Sequence, residues 1–268
     1  LLFSYNIKAM RRKAVKQSIY LRLLIFFLLC GCSFLSCITT ENSASANALS
    51  GITILSVSPA DFSLSPVIGK SGICFSWHQP FGVKDISVYG LHSAFPIKPL
   101  LIATGIDYLA HPDYRWQDEY LALSASFSAF SIGATQHLLY EKIEDQVWFT
   151  WKSDFAIAYK EKNFAGEIRC NDISSSNKAL TLSAAVTAAE NTTIASAYSF
   201  LPEEKDCYAL ASSFAVAKPI LIQCSWQSAP ARFGLGLKVL TGNWNLMYAV
   251  RTHTELGLTH LVDLGYAW

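Results

Sequence analysis

From about residue 72 to its last residue, the chain alternates apolar and polar side chains with a period of two. In ARFGLGLKVL, Ala231, Phe233, Leu235, Leu237 and Val239 share one side, and Arg232, Gly234, Gly236 and Lys238 share the other. In NWNLMYAVRTH, Trp244, Leu246, Tyr248 and Val250 oppose Asn243, Asn245, Met247 and Arg251. The closing stretch ELGLTHLVDLGYAW sets Leu256, Leu258, Val262, Leu264, Tyr266 and Trp268 against Glu255, Gly257, Thr259, Asp263 and Gly265. His260 alone breaks its apolar stripe. A period of two is that of a β-strand with two unlike faces.

The same rhythm predicts strands near 72–79, 86–97, 100–110, 118–129, 130–143, 146–160, 164–173, 178–190, 192–201, 206–217 and 219–228. With the three segments above that makes about fourteen, or twelve if the first is irregular or two of them are one. Turn-forming stretches separate many of them: HQPFG, HPDY, EKNFAG, NDISSSN, AENT, LPEEKD, QSAP, LTGN and THTE. Helical period is nearly absent from this region. Residues 49–71 are apolar with interspersed prolines, and are expected to form a short strand or a plug.

Composition changes the picture. The 268-residue chain is 51% hydrophobic and 15% charged, against roughly 25% charge in soluble domains. A spanning helix needs about 20 mostly apolar residues, and the one candidate run is Leu23–Ile38. It follows a basic stretch (Lys8, Arg11, Arg12, Lys13, Lys16, Arg22) and precedes ENSASANA, where Ala44-Ser45-Ala46 and Ala46-Asn47-Ala48 are small-x-small sites. This is the layout of a secretory signal peptide, expected over residues 1–48, with Met10 as a candidate start. A retained anchor and lipid attachment at Cys32 or Cys37 are the alternatives. Without the leader, 15 basic residues face 19 acidic ones, a net charge near −4. No basic field for nucleic acid remains.

A soluble sandwich turns its apolar face inward and carries charge outside. Here the second face is weakly charged and rich in Gly, Ser, Ala and Thr, and the apolar face bears aromatics near strand ends. Trp77, Trp151, Trp226, Trp244, Tyr266 and Trp268 are the expected girdle. Apolar-out alternation, aromatic girdles and segments of about 9–11 residues are the signature of an outer-membrane barrel. Only a closed barrel satisfies every strand's backbone in lipid. The predicted fold is therefore all-β: a transmembrane antiparallel up-and-down β-barrel over residues 72–268.

Candidate chemistry is sparse. The chain lacks GxSxG, HExxH, a Walker loop and GxGxxG, and the GxG of ARFGLGLK falls within a strand. Cys74, Cys170, Cys207 and Cys224 lie far apart with no zinc spacing; they read as small strand residues, with disulfides the alternative. Arg232, Lys238, Arg251, His253, Glu255 and Asp263 fall on the polar parity and are the candidate lumen-facing residues. His253, Glu255 and Asp263 could form an acid–base site, or simply bond within the closing hairpin. Glu119, Glu141, Lys152, Asp154, Glu167 and Arg169 are expected to pair inside. No catalytic, metal or cofactor site is predicted.

Two stretches carry a family resemblance. WHQPFGVKDISVYGLHSAFPI and DYRWQDEYLALSAS resemble the N-terminal strands of FadL-like outer-membrane barrels, closest to the PorV/PorQ-like branch. The end resembles that branch's closing pair through Gly234, Gly236, Tyr248, Ala249, His253, Leu256, Gly257, Thr259, His260, Leu264 and Trp268. The resemblance implies twelve or fourteen strands around a narrow or plugged lumen. FadL-like barrels carry hydrophobic compounds, and PorV-like ones shuttle or anchor secreted proteins. The expected function is transport of small molecules, hydrophobic ones included, across the outer membrane of a Gram-negative-type bacterium. A partner-binding barrel and a soluble periplasmic β-sandwich are the alternatives. Expected partners are outer-membrane lipid, the insertion machinery reading the C-terminal strand, and a secreted protein or small hydrophobic ligand.

Overall fold

A computed structural model describes residues 43–268 apart from 57, 68, 112, 175–177, 203–204 and 254–255. Among the described residues fourteen strands follow one another: β1 Gly72–Gln79, β2 Val88–Ile97, β3 Leu100–Ala110, β4 Tyr114–Phe127, β5 Phe130–Ile143, β6 Gln146–Lys160, β7 Phe164–Asn171, β8 Ala179–Ala189, β9 Thr192–Phe200, β10 Cys207–Ala217, β11 Ile220–Ser228, β12 Ala231–Thr241, β13 Trp244–His253 and β14 Gly257–Ala267. β4 begins four residues before its expected start. His111 and Tyr114 exchange two backbone hydrogen bonds (2.8 and 3.3 Å), so only residues 111–113 turn and YRWQ enters the ladder.

Each strand pairs antiparallel with its sequence neighbours, and β14 pairs back onto β1 from Gly72↔Ala267 to Gln79↔His260. The sheet closes on itself, which rules out a two-sheet sandwich and leaves no edge unpaired along its whole length. The hairpins at one end are mostly two residues long; in one, Gly242 takes φ +59, a left-handed turn geometry that glycine adopts without steric cost. Longer segments, 80–87, 172–178 and 201–206, connect the strands at the other end.

Outside, the alternation exposes Leu, Ile, Val, Phe, Tyr and Trp, as a wall against lipid requires. Trp244, Tyr266 and Trp268 ring the short-turn end, with Phe95 stacked on Trp268 at 5.4 Å. Trp77, Trp151 and Trp226 lie in the long-loop half. His260 involves no slip of register: it pairs with Val250 and Gln79 on the outer face. Its Nδ1 meets the Tyr248 hydroxyl at 2.9 Å, in the long-loop half of the wall.

Inside, the barrel is filled by its own N-terminal segment. Residues 43–67 carry a short helix, α1 (Ala44–Ala48), and 3-10 turns at Thr53–Leu55 and Pro59–Ser63. Ala44, Ala46, Ala48 and Leu49 are wholly buried. Both small-x-small sites thus fall within an element packed in the lumen. The wall is shaped to receive it: a Cβ on Gly234 would lie 2.6 Å from the Ala48 carbonyl oxygen and 2.8 Å from that of Asn47. A Cβ on Gly236 would lie 2.7 Å from Ala48 Cβ. The GxG of β12 is a recess for α1.

Candidate functional site

The plug is held from many sides. Leu49 and Ile52 pack on Ala185, Ala195, Ala209 and Ala211; Phe62 packs on Ala94, Ala103, Tyr120 and Ala122. Burying side chains of this size contributes about 1.5–3 kcal/mol each. Polar contacts add direction. The Ala44 amide donates to Asp263 (2.8 Å) and Ser45 to Gln223 (3.1 Å). Ser225 donates to the Ala48 carbonyl (2.8 Å) and meets Ser50 (2.7 Å). Thr53 donates to Glu167 (2.9 Å) and accepts from Arg169 (3.1 Å). Ser65 donates to the other Glu167 oxygen. Within the plug, Asp61 accepts from the Ser43 and Ser56 hydroxyls (both 2.7 Å) and the Ser58 amide (2.6 Å). Burial pushes the Asp61 carboxyl above its ordinary range, against the pull of these donors and the nearby Lys238 ammonium.

A row of buried titratable groups crosses the lumen side of β1 to β6. Asp107 lies 3.4 Å from His92 Nε2, which also meets Ser76 (3.2 Å). His92 Nδ1 meets the Tyr120 hydroxyl (3.2 Å). That hydroxyl reaches the Pro59 carbonyl of the plug (3.3 Å). His137 sits between Asp118 (3.0 Å) and Asp154 (3.6 Å). Gly105 leaves space for this row, since a Cβ there would lie 2.6 Å from His92 Nδ1. Burying charges in this way is costly unless they are paired and bonded, and here each carboxylate faces an imidazole.

Above the plug, towards the long loops, lies a vestibule of about 310 Å3 lined by charged, small and apolar residues. Ser50, Gly51, Ser63 and Leu64 floor it. Asp118, His137, Lys152 and Asp154 line one side and Arg232 and Arg251 another.

The structure separates the residues expected in the lumen. Lys238, Arg251 and Asp263 are buried on the inner face; Arg232 and His253 are part-buried near the long loops. Arg251 donates to Asn47 of α1 (3.2 Å) and to Gln227 (2.9 Å). His253 and Asp263 do not meet: His253 pairs across from Gly257 and Asp263 from Met247. His253 Nδ1 accepts from the Leu256 amide (3.2 Å), and its ring meets Phe81 edge-on (5.2 Å). Glu255 lies outside the described residues. Glu119 is corrected: it is exposed on the outer face, bonded to Gln117 (2.6 Å), while its neighbours Asp118 and Tyr120 point inward. Glu141 does face inward, accepting from Tyr114 (3.0 Å). No disulfide forms among Cys74, Cys170, Cys207 and Cys224. His92, Asp107, Asp118 and His137 were missed by sequence reasoning. Their signal was parity: each lies an even number of positions from a small inward residue, as in Gly90-x-His92 and Gly105-x-Asp107.

The architecture has solved counterparts. A deletion mutant of TodX, a monoaromatic hydrocarbon channel, is similar with a TM-score of 0.65 at 8% identity, covering 84% of this chain and 99% of that one. Two mutants of the Rh. blastica porin align less closely, with TM-scores of 0.44 and 0.45 at 8% identity, covering 74% of this chain and 98% of theirs. The TodX likeness is one of fold: this chain is a closed fourteen-strand antiparallel β-barrel. No family model matches the sequence, and neither does any curated protein.

Proposed function

We propose that the protein is an outer-membrane channel for small molecules whose lumen is closed at rest by residues 43–67. The observation that carries this reading is the vestibule above a plug made of the chain's own segment. In outer-membrane barrels short turns face the periplasm and longer loops face outward, so the vestibule opens to the exterior. Likeness to a hydrocarbon channel and the FadL-like resemblance of the two ends support a transport role. Solute uptake into vesicles carrying the purified barrel tests it. Uptake should be slow for the native protein and rise several-fold once residues 43–67 are deleted. Equal, negligible uptake by both would sink the channel reading.

The second reading is a PorV-like barrel that holds a secreted partner. It is favoured by the density of hydrogen bonds to the plug, which suits a barrel that stays shut. Recovery of a stoichiometric partner with the purified barrel would support it.

Export through a signal peptide belongs to either reading. The burial of Ala44–Ala48 in the lumen supports processing upstream of Ser43 rather than at Ala46 or Ala48. The N-terminal mass of the protein from outer membranes decides this. A mature chain beginning at Asn47 or Leu49 would contradict it.

A further inference from the structure

We infer that the upper edge of β6 is a docking strand for a second protein at the cell exterior, which adds an extended segment beside Val147–Trp151. β6 begins at Gln146, but β7 pairs with it only from Phe155↔Cys170 down to Lys160↔Ala165. Nine residues of β6, about 30 Å at 3.4 Å each, therefore rise above the last β7 pair. Their other edge is held throughout: β5 pairs with β6 up to Ile143↔Gln146, and β4 with β5 up to Tyr114↔Ile143. On the open side Ile173 donates to the Ser153 carbonyl (2.8 Å) and the Asp172 amide to the Asp154 carboxylate (2.7 Å). Backbone groups of successive residues point to opposite edges. Ser153 points to the open side, so Trp151, Phe149 and Val147 do too, and among the described residues no strand pairs with them there.

The sequence of this edge does not blunt it. QVWFTW, residues 146–151, holds no charged residue and no proline, the devices that keep an exposed edge from recruiting strands. Valine, phenylalanine, tryptophan and threonine are all strand formers. Phe149 is 63% exposed, the most open large apolar side chain among the described residues, and Val147, Trp148 and Trp151 are exposed as well. Lipid does not account for this. Arg115, Gln117 and Lys142 share the outer face of the same hairpins; Arg115 sits opposite Lys142, and Lys142 opposite Val147. Charges so placed belong in water, and Trp151 marks the lipid boundary below them. A second copy does not fit either. Two barrels inserted in one membrane run this edge in the same direction, so a two-fold axis along the membrane normal gives no antiparallel pairing. The fitting occupant is an extended segment of another protein, added antiparallel to β6 as β7 is. A stretch of about five residues covers Val147–Trp151. Those opposite Val147, Phe149 and Trp151 lie on the outer side and are expected to be apolar. The turn above carries exposed Glu144 and Asp145, with exposed Asp113 against it; Arg115 and Lys142 lie behind, on the side away from the edge. These carboxylates call for a lysine or arginine just beyond the residue opposite Val147. The assignment deepens the partner-holding reading and rests on it for the partner's presence, while the edge's affinity is measured without it.

Fluorescence anisotropy of a labelled, amidated hexapeptide titrated with the detergent-solubilised barrel tests the edge. The probe alternates valine with threonine and ends in arginine; its comparison is the same hexapeptide with its valines N-methylated. The unmodified probe should bind, and methylation should weaken binding at least about tenfold, because the pairing amides are lost. Phe149→Pro should weaken it about tenfold. That residue's N–H points away from β5, so the change leaves the β5 ladder whole. Phe149→Lys, which keeps the N–H, should weaken it several-fold by breaking the apolar stripe. Heat-modifiable gel mobility confirms that each variant is folded, and either one alone suffices. Equal binding of the two peptides, or native-like binding by the Phe149→Pro barrel, would overturn the assignment. So would a native barrel that sediments as a dimer, is split by Phe149→Lys and has no affinity for the probe, since the occupant is then a second copy. A stoichiometric partner that stays on the Phe149→Pro barrel overturns the edge and leaves the partner-holding reading standing. Probe binding by a barrel that carries no partner supports the edge and sinks that reading.

Discussion

The two levels of the lumen are built from different residues on the same strands. In the plugged half the inward positions are small: Ala156 on β6, Ala211 on β10, Gly236 and Gly234 on β12, Ala249 on β13. Two to four residues on, toward the long loops, those strands turn inward Asp154 and Lys152, Cys207, Arg232, and Arg251. Small side chains mark where the chain's own backbone fills the space; charged ones gather on the vestibule walls of β4 to β7, β12 and β13, with small residues of β8 to β10 between them. The exceptions follow the same logic. Asp263 and Glu167, charged within the plugged half, are bonded to polar atoms of the plug, as is Arg169 at its border with the vestibule; Lys238, buried there too, lies near the plug's Asp61.

This contrast can be broken from either level. The largest effect is expected from Gly234→Val, which puts a branched side chain against the carbonyls of Asn47 and Ala48. Overpacking costs about 1–3 kcal/mol and occasionally more, and backbone cannot yield as a side-chain tip does. The helix should leave its recess, so residues 43–56 become cleavable by protease in a barrel that still inserts. Glu167→Ala comes next: Thr53 and Ser65 lose one shared charged acceptor, and plug protection in hydrogen exchange should fall by about 3 kcal/mol. Ser50→Ala removes one hydroxyl from the Ser225 pair and should lower that protection by about 1 kcal/mol. Arg232→Gln, in the vestibule, should leave plug protection within about 0.5 kcal/mol. If it loosened the plug as much as Glu167→Ala, the division into two levels would fail.

Much of the barrel was legible because lipid imposes a plain rule on the outer face. Once every second residue must be apolar, strand positions and faces can be read directly, as in β12 to β14. The inner face obeys no single rule. Trp116 and Tyr120 turn inward where the outer pattern would claim them, since Tyr120 meets His92 and Pro59. That put Glu119 on the wrong side in the sequence reading. The buried imidazole–carboxylate pairs join residues from adjacent strands, so spacing along the chain does not announce them. The ASANA stretch reads equally well as a peptidase site and as a helix small enough for a crowded lumen. Only the recess at Gly234 and Gly236, nearly two hundred residues away, makes the second reading visible.

The central claim is that residues 43–67 close an otherwise continuous lumen. Single-channel conductance in a planar bilayer tests it most directly, comparing the native barrel with one lacking those residues. The native barrel should show little or flickering current, and the deletion a steady current several times larger. A native barrel as conductive as the deletion would contradict the plug, whatever else the protein does.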